Sequence, residues 1–294
     1  MDKISRRQFI ARAAAAGVAG AAVGYGISDP LYASEKRLGT VIDLTKCKGC
    51  GRCTEACQVA HGQAIDLTPG LSPSRLLDIQ AVKVEQGNQV TEVFIPRRCM
   101  HCDNPPCAKV CPISVNTKKP EGPVVIDTNY CLGGQKCKNV CPWHIPQLKK
   151  GVGFYKKLEP LPFGAGIMYK CDLCYDRVIN GQNPACVEAC PNGAVIFGDQ
   201  EEMRLLAHQR AEEIGGYIYG ELENGGTSTY YVSAVPFADL HKALVQKESL
   251  PGMPGEVDNF LDTGNGMIQS FLTVPIAGVF AAGFTAYKTL KGEK

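Results

Sequence analysis

An α+β fold wrapped around cysteine-bearing loops is the class this 294-residue chain predicts. Three observations carry that expectation. Its 15 cysteines fall into four runs: Cys47, Cys50, Cys53, Cys57; Cys99, Cys102, Cys107, Cys111; Cys131, Cys137, Cys141; and Cys171, Cys174, Cys186, Cys190. Short apolar stretches flank the runs and read as brief strands. Glu201 to Ile214 carries helical periodicity, with acidic residues in its first turn and Gly215-Gly216 at its end.

The first run reads C-x2-C-x2-C-x3-C, the bacterial ferredoxin spacing, in which three thiolates hold one iron–sulfur cluster and the fourth reaches a second. Pro112, Pro142 and Pro191 each follow the last cysteine of their run. Electron transfer is therefore the first expectation. Zinc on Cys171, Cys174, Cys186 and Cys190 is a rival in isolation, and disulfides are a rival in an exported chain. Four such runs together argue against both, and an odd number of thiols leaves one unpaired.

In chain order, Gly39 to Leu44, Val93 to Pro96, Val124 to Asp127 and Ala194 to Phe197 read as strands beside the runs. Ile79 to Gln86 and Gln89 to Ile95 alternate around Gly87-Asn88 and predict a hairpin inserted after the first run. A second strand pair, Tyr217 to Leu222 and Thr229 to Ala234, follows the helix, joined through Glu223-Asn224-Gly225-Gly226. Lys247 to Asp262, with Pro251, Gly252, Pro254 and Gly255, reads as a linker.

Composition narrows the function. With 45% hydrophobic and 20% charged residues the chain is not disordered, and a net charge of +2 leaves no nucleic-acid footprint. There is no phosphate loop, nucleotide fingerprint or C-x-x-C-H haem site. No nucleophile paired with a base and no paired carboxylates argue for chemistry on a substrate, so the reading is a non-catalytic subunit.

The ends point to location. Ser5-Arg6-Arg7-Gln8-Phe9-Ile10 before the Ala/Gly stretch Ala13 to Gly26 looks like a twin-arginine export signal, with Ala33 as a candidate cleavage point. No charge stands between Asp262 and Lys288, and Phe271 to Tyr287 is long enough to span a membrane near the lower limit. Lys288, Lys291 and Lys294 place the tail in the cytoplasm and the body on the periplasmic side.

Residues 36–240 resemble the four-cluster iron–sulfur subunit of the molybdopterin oxidoreductase (DMSO reductase) family of respiratory complexes, which includes the hydrogenase-2 and respiratory formate dehydrogenase electron-transfer subunits. The resemblance rests on Cys47-Lys-Gly-Cys50-Gly-Arg-Cys53, Cys99-Met-His-Cys102-Asp-Asn-Pro-Pro-Cys107, and Cys171-Asp-Leu-Cys174 through Cys186-Val-Glu-Ala-Cys190-Pro191. It implies two nested ferredoxin-like domains with the hairpin insertion, followed by a C-terminal transmembrane helix. The expected boundaries are a signal segment at 1–33, tandem cluster domains at 34–200 with the inner one at about 97–150, an extension at 201–262 and a membrane helix at 263–290.

The resemblance also implies crossed ligand sets. One cluster takes Cys47, Cys50, Cys53 and Cys190, and its neighbour takes Cys57, Cys171, Cys174 and Cys186. The inner pair takes Cys99, Cys102, Cys107 and Cys141, then Cys111 with Cys131 and Cys137. The last set lacks one thiolate, because Gly134 stands where the middle cysteine of the run belongs. Three 4Fe-4S clusters and one 3Fe-4S cluster follow as the expectation; a 4Fe-4S cluster with a non-cysteine ligand and an absent cluster are the alternatives. The implied partners are an extracytoplasmic catalytic subunit, such as a hydrogenase or molybdopterin enzyme, or a multihaem cytochrome c, and an integral membrane quinone-interacting subunit. A free-standing iron–sulfur reductase and a zinc or disulfide assembly protein are the rival readings. His101 and His144 stand beside ligands and are candidates for tuning a cluster or, more plainly, for packing or a solvated loop position. Trp143 is expected to shield one, and His61, His208 and His241 have no constellation around them in the sequence.

Overall fold

The computed structural model describes residues 36–87, 89–153, 156, 166–244, 252–255 and 257–269. The arginine pair and the apolar span Phe271 to Tyr287 lie outside these residues. Among the described residues no helix is long and apolar enough to cross a membrane.

The outer layer is a four-stranded sheet made from distant parts of the chain. Strand β1 (Leu38–Asp43) lies between β8 (Val195–Asp199), antiparallel to it, and β10 (Thr229–Ser233), parallel to it; β9 (Tyr217–Tyr219) closes the edge, giving the order β8-β1-β10-β9. Because side chains alternate along a strand, the two faces bury different sets. Val41, Tyr230 and Val232 meet Met203, Ala207 and Ala211 of α6 (Gln200–Ile214). Ile42, Tyr231 and Tyr219 join the main core under the cysteine loops. Helix α6 starts where it does because Asp199 Oδ1 accepts from the backbone N–H of Glu201 at 2.9 Å and Glu202 at 3.3 Å. It stops at Gly215, at φ 59°.

The hairpin of β2 (Asp78–Gln86) and β3 (Gln89–Arg97) pairs in unbroken register from Asp78↔Arg97 to Gln86↔Gln89, as its alternation predicts. Two smaller hairpins lie in the stretch that separates the first and last cysteine runs. They are β4 (Asn116–Lys118) with β5 (Val124–Ile126), and β6 (Gln147–Lys150) with β7 (Gly166–Tyr169). Among the described residues the other α-helices include short ones around the cysteine runs and one after the sheet: α1 (Arg52–Ala60), α2 (Pro106–Lys109), α3 (Lys136–Asn139), α4 (Tyr175–Val178), α5 (Ala185–Glu188) and α7 (Phe237–Ala243).

Three features differ from the sequence reading. The strand pair after α6 forms as expected, β9 antiparallel to β10, but β10 also pairs directly with β1 inside the sheet, a partner the sequence reading did not supply. Its first strand ends at Tyr219, where the Gly220 N–H donates to Glu223 Oε2 at 2.6 Å and turns the chain. The stretch expected as a linker is, in its described part, a strap on the body. Met253 is fully buried in the main core, Arg97 donates to the Gly252 carbonyl at 2.9 Å, and Asn259 Nδ2 donates to the carbonyls of Asn104 at 2.9 Å and Asn224 at 3.1 Å. Proline and glycine content suggested freedom there; burial of one methionine and the side-chain bonds of one asparagine remove it.

Candidate functional site

All 15 cysteines are free thiols, most of them buried. Local geometry is set by one backbone device repeated in each run. The second residue after the first cysteine adopts a left-handed conformation at Gly49 (φ 66°), His101 (φ 51°), Gly133 (φ 69°) and Leu173 (φ 62°). Such a conformation costs a non-glycine residue energy and persists only when its surroundings hold it. At Gly49 a Cβ would lie 2.3 Å from the Phe94 ring, and at Gly133 one would lie 2.6 Å from the Gly166 backbone, so glycine is required at both. A second device follows the Cys-Pro steps: Ser114, His144 and Gly193 are also left-handed, and their N–H groups donate back to the carbonyls of Cys111, Cys141 and Cys190. His144 is thus an exposed turn residue, in line with its plain reading.

The loops gather the thiols into four groups. Cys47, Cys50, Cys53 and Cys190 line one cavity with Ile79, Pro96 and Val195. Cys57 has Cys171, Cys186 and Cys174 as its electrostatic neighbours, with the Asp172 carboxylate beside them. Cys99, Cys102, Cys107 and Cys141 line a cavity walled by Val124, Trp143 and Ile145. Cys111, Cys131 and Cys137 line a cavity of about 180 Å³ together with Gly134, Ile126 and Met168.

Helix geometry sets the groups side by side. Cys53 and Cys57 are one turn apart on α1, so a single helix serves the first two groups. Helix α1 packs on α5, which carries Cys186 with Cys190 just beyond it. The inner part repeats this arrangement: α2 carries Cys107 ahead of Cys111, α3 carries Cys137 ahead of Cys141, and the two helices pack together. Cys53 feels the Cys186 thiol and Cys137 feels that of Cys107, which joins the first group to the second and the third to the fourth; Lys170, facing Cys99, Cys107 and Cys171, links the second to the third and completes a row.

The donor set fits iron–sulfur clusters. Burial, followed by the Cys186 thiol, pushes Cys53 up to about 12; burial pushes Cys174 up to about 12, Cys107 to about 11 and Cys141 to about 12. Thiols packed this tightly stay protonated on their own. A positively charged metal centre among them removes that penalty, and soft sulfur donors favour iron–sulfur clusters.

The surroundings of the second group are polar. His101, fully buried, accepts the Val124 N–H at Nδ1 (3.0 Å), which leaves Nε2 as the donor toward Cys171 Sγ at 3.7 Å. Arg98 is buried, with Nη1 3.8 Å from the same sulfur, Nη2 donating to Thr40 Oγ1, and Nε without a protein partner. The Lys170 ammonium is buried too; it donates to the carbonyls of Val124 and of Cys171 (3.1 Å). Burial disfavours its charge, but negative charge on the sulfurs of Cys99, Cys107 and Cys171, together with the Asp172 carboxylate, outweighs that and raises its pKa.

The remaining histidines correct the sequence reading. His61 Nε2 lies 3.0 Å from Asp172 Oδ1, across 111 residues of sequence, and its Nδ1 lies 2.8 Å from the Cys57 carbonyl. That bond to Asp172, opposed by burial, lifts the imidazole to about 9. His208 meets Glu221 at 3.0 Å, and His241 Nδ1 accepts the Met253 N–H at 3.1 Å. These partners are distant or conformational, which is why spacing did not reveal them. Arg98 and Lys170 were missed as well. Each directly precedes a cysteine, and that position was the only available signal.

The thiol groups, their loops and the paired short helices define a ferredoxin-type iron–sulfur protein. A 4Fe-4S dicluster domain model matches residues 46–115, and a second model of the same description matches residues 90–160 and 162–200. The protein belongs to the family of iron–sulfur subunits of DMSO reductase and formate dehydrogenase complexes. It is 31% identical over 271 residues to the formate dehydrogenase-O iron-sulfur subunit of Escherichia coli K12, covering 86% of this chain and 83% of that one. It is 33% identical over 262 residues to the iron-sulfur subunit of the nitrate-inducible formate dehydrogenase of the same organism, covering 84% of this chain and 80% of that one. A protein of Nitratidesulfovibrio vulgaris is 32% identical over 254 residues, covering 80% of this chain and 66% of that protein. Electron transfer through iron–sulfur clusters is the shared property of the family.

Proposed function

We propose that this chain is the electron-transfer subunit of an extracytoplasmic, membrane-bound respiratory oxidoreductase. It carries electrons between a catalytic or cytochrome c partner and a quinone-interacting membrane subunit. The observation that carries the reading is the row of four thiol groups, each assembled from distant runs. Location and membrane attachment rest on Arg6-Arg7 and on the apolar stretch Phe271 to Tyr287.

Bound iron–sulfur clusters accept and release single electrons. The chain's own residues hold them, exclude water and set the local charge. Cys47, Cys50, Cys53 and Cys190 are assigned to one 4Fe-4S cluster, Cys57, Cys171, Cys174 and Cys186 to the second, and Cys99, Cys102, Cys107 and Cys141 to the third. Trp143, Val124 and Ile145 wall the third group off from solvent. Cys111, Cys131 and Cys137 are assigned to a 3Fe-4S cluster, since Gly134 offers no donor at the fourth corner; the same wall holds the apolar Ile126, Leu132 and Met168 and the polar Asn116, Gln135 and Lys136.

Anaerobic purification followed by iron and acid-labile sulfide analysis tests the reading. The expected content is about 15 iron atoms per chain, with three-iron and four-iron EPR signals. Zinc in place of iron, without charge-transfer absorption, overturns it.

A further inference from the structure

Three cationic or donor groups, all buried, converge where the second and third thiol groups meet. Arg98 Nη1 and His101 Nε2 lie 3.8 and 3.7 Å from Cys171 Sγ. The Leu173 N–H adds a backbone donor to the same sulfur at 3.4 Å. Lys170 lies in the wall of the cavity of Cys99, Cys102, Cys107 and Cys141, and the thiols of Cys99, Cys107 and Cys171 surround its charge. Among the described residues no carboxylate hydrogen-bonds or ion-pairs with these three side chains. The acidic residues nearest in sequence are engaged elsewhere: Asp172, whose charge also favours the Lys170 ammonium, has Oδ1 held by His61 Nε2 at 3.0 Å and the Cys174 N–H at 2.8 Å, and Asp103 pairs with Arg37 and Lys118.

We propose that the buried Arg98 and Lys170 cations and the neutral His101 imidazole form a wall of donors between the two middle clusters, and that it acts through Cys171 to raise the potential of the cluster held by Cys57, Cys171, Cys174 and Cys186. These are positioning residues: they touch a ligand sulfur or its carbonyl. Hydrogen bonds to ligand sulfur and nearby positive charge stabilise the reduced, more negative cluster. Buried charges act at full strength because water screens them little. Sequence alone gives no ground for ranking the three complete thiolate sites, whereas the fold gives the Cys171 sulfur three donors. The cluster at Cys171 therefore holds an electron more readily than it would without these donors, and Lys170 couples it to the third cluster by facing thiols of both.

The proposal rests on the assignment of clusters to these thiols, and the test separates the two. His101→Asn is the informative variant. Asparagine keeps an acceptor for the Val124 N–H and tolerates the left-handed backbone, but it does not reach Cys171. Lys170→Met removes the charge at nearly constant length. Each variant is purified anaerobically in the full chain, its iron content is measured, and its clusters are titrated individually by EPR against potential. Full iron content with the terminal clusters at their wild-type potentials is the expected result in both variants, with a lowered midpoint for the second cluster in His101→Asn and for the second and third clusters in Lys170→Met. Unchanged midpoints in His101→Asn, or an equal shift of all four clusters, overturns the proposal. Should Lys170→Met fail to hold iron, His101→Asn alone decides by the same two outcomes. Wild-type protein without iron overturns the cluster assignment itself.

Discussion

Trp143 donates its indole N–H to the hydroxyl of Tyr219 at 2.7 Å, and that hydroxyl donates onward to the Pro254 carbonyl at 2.9 Å. The first residue follows Cys141 in the inner unit, the second sits on edge strand β9, and the third belongs to the strap. One phenol therefore ties three parts of the chain across the wall of the third thiol group.

Tyr219→Phe removes both bonds while keeping the ring packed against Tyr231 and Phe237. A buried indole N–H left without a partner costs about 1–3 kcal/mol. The variant should load its full iron but lose cluster absorption at a lower temperature than the wild type. Equal thermal loss curves for the two proteins would show that the link contributes nothing.

Removing iron should dissect the fold. The core of β1, β10 and α6 is built from Val41, Met203, Ala207, Ala211, Tyr230 and Val232, without a cysteine. The core of the inner hairpins contains Cys107, Cys131 and Cys137. After chelation, amides of β1, β10 and α6 should stay protected from hydrogen exchange while those of β4 to β7 exchange quickly. Uniform loss of protection would mean that the sheet, too, depends on metal.

What the sequence made legible follows from how locally each feature is encoded. The β2–β3 hairpin and α6 are written in side-chain period and in end signals such as Gly87 and Gly215, and both occur within a residue or two of expectation. The cysteine spacing likewise reveals the loops. The parallel pairing of Thr40 with Thr229 is encoded by no local signal, since the two stand 189 residues apart. The same holds for His61 with Asp172 and for the burial of Met253. Arg98 was hidden for a different reason: a buried arginine looks in sequence like a solvated one, and only the fold shows Cys171 beside it.

Crossed ligation has a direct genetic signature. Cys47→Ser and Cys190→Ser remove thiols lining one cavity although they belong to the first and last runs. Both should damage the same EPR signal and leave the other three. Loss of two different signals would separate the residues into different clusters.

Export and anchoring are expected to be separable. Arg6→Lys with Arg7→Lys should leave cluster-loaded protein in the cytoplasm, whereas deletion of residues 268–294 should release the body as a soluble exported form. Fractionation with an antibody to the body reads both. A deletion variant that stays in the membrane after its partners are removed would assign anchoring to another part of the chain.

Gly134 offers the sharpest test of the fourth site. It occupies the position held by Cys50, Cys102 and Cys174 in the other runs, and the left-handed backbone in its loop falls on Gly133 and Gln135 instead. A Cβ at Gly134 would meet nothing within 4 Å. Gly134→Cys should therefore fold, place a thiol in the cavity with Cys111, Cys131 and Cys137, and convert a three-iron cluster to a four-iron one. The added thiolate stabilises the oxidised state, so the midpoint should fall. Gly134→Ala supplies the Cβ without the ligand and should retain the three-iron EPR signal of the oxidised wild type. Gly133→Ala, by contrast, drives a methyl into the Gly166 backbone and should fail to load this site. Iron content matching four four-iron clusters in the wild type, with no three-iron signal on oxidation, would show that another donor already fills the corner.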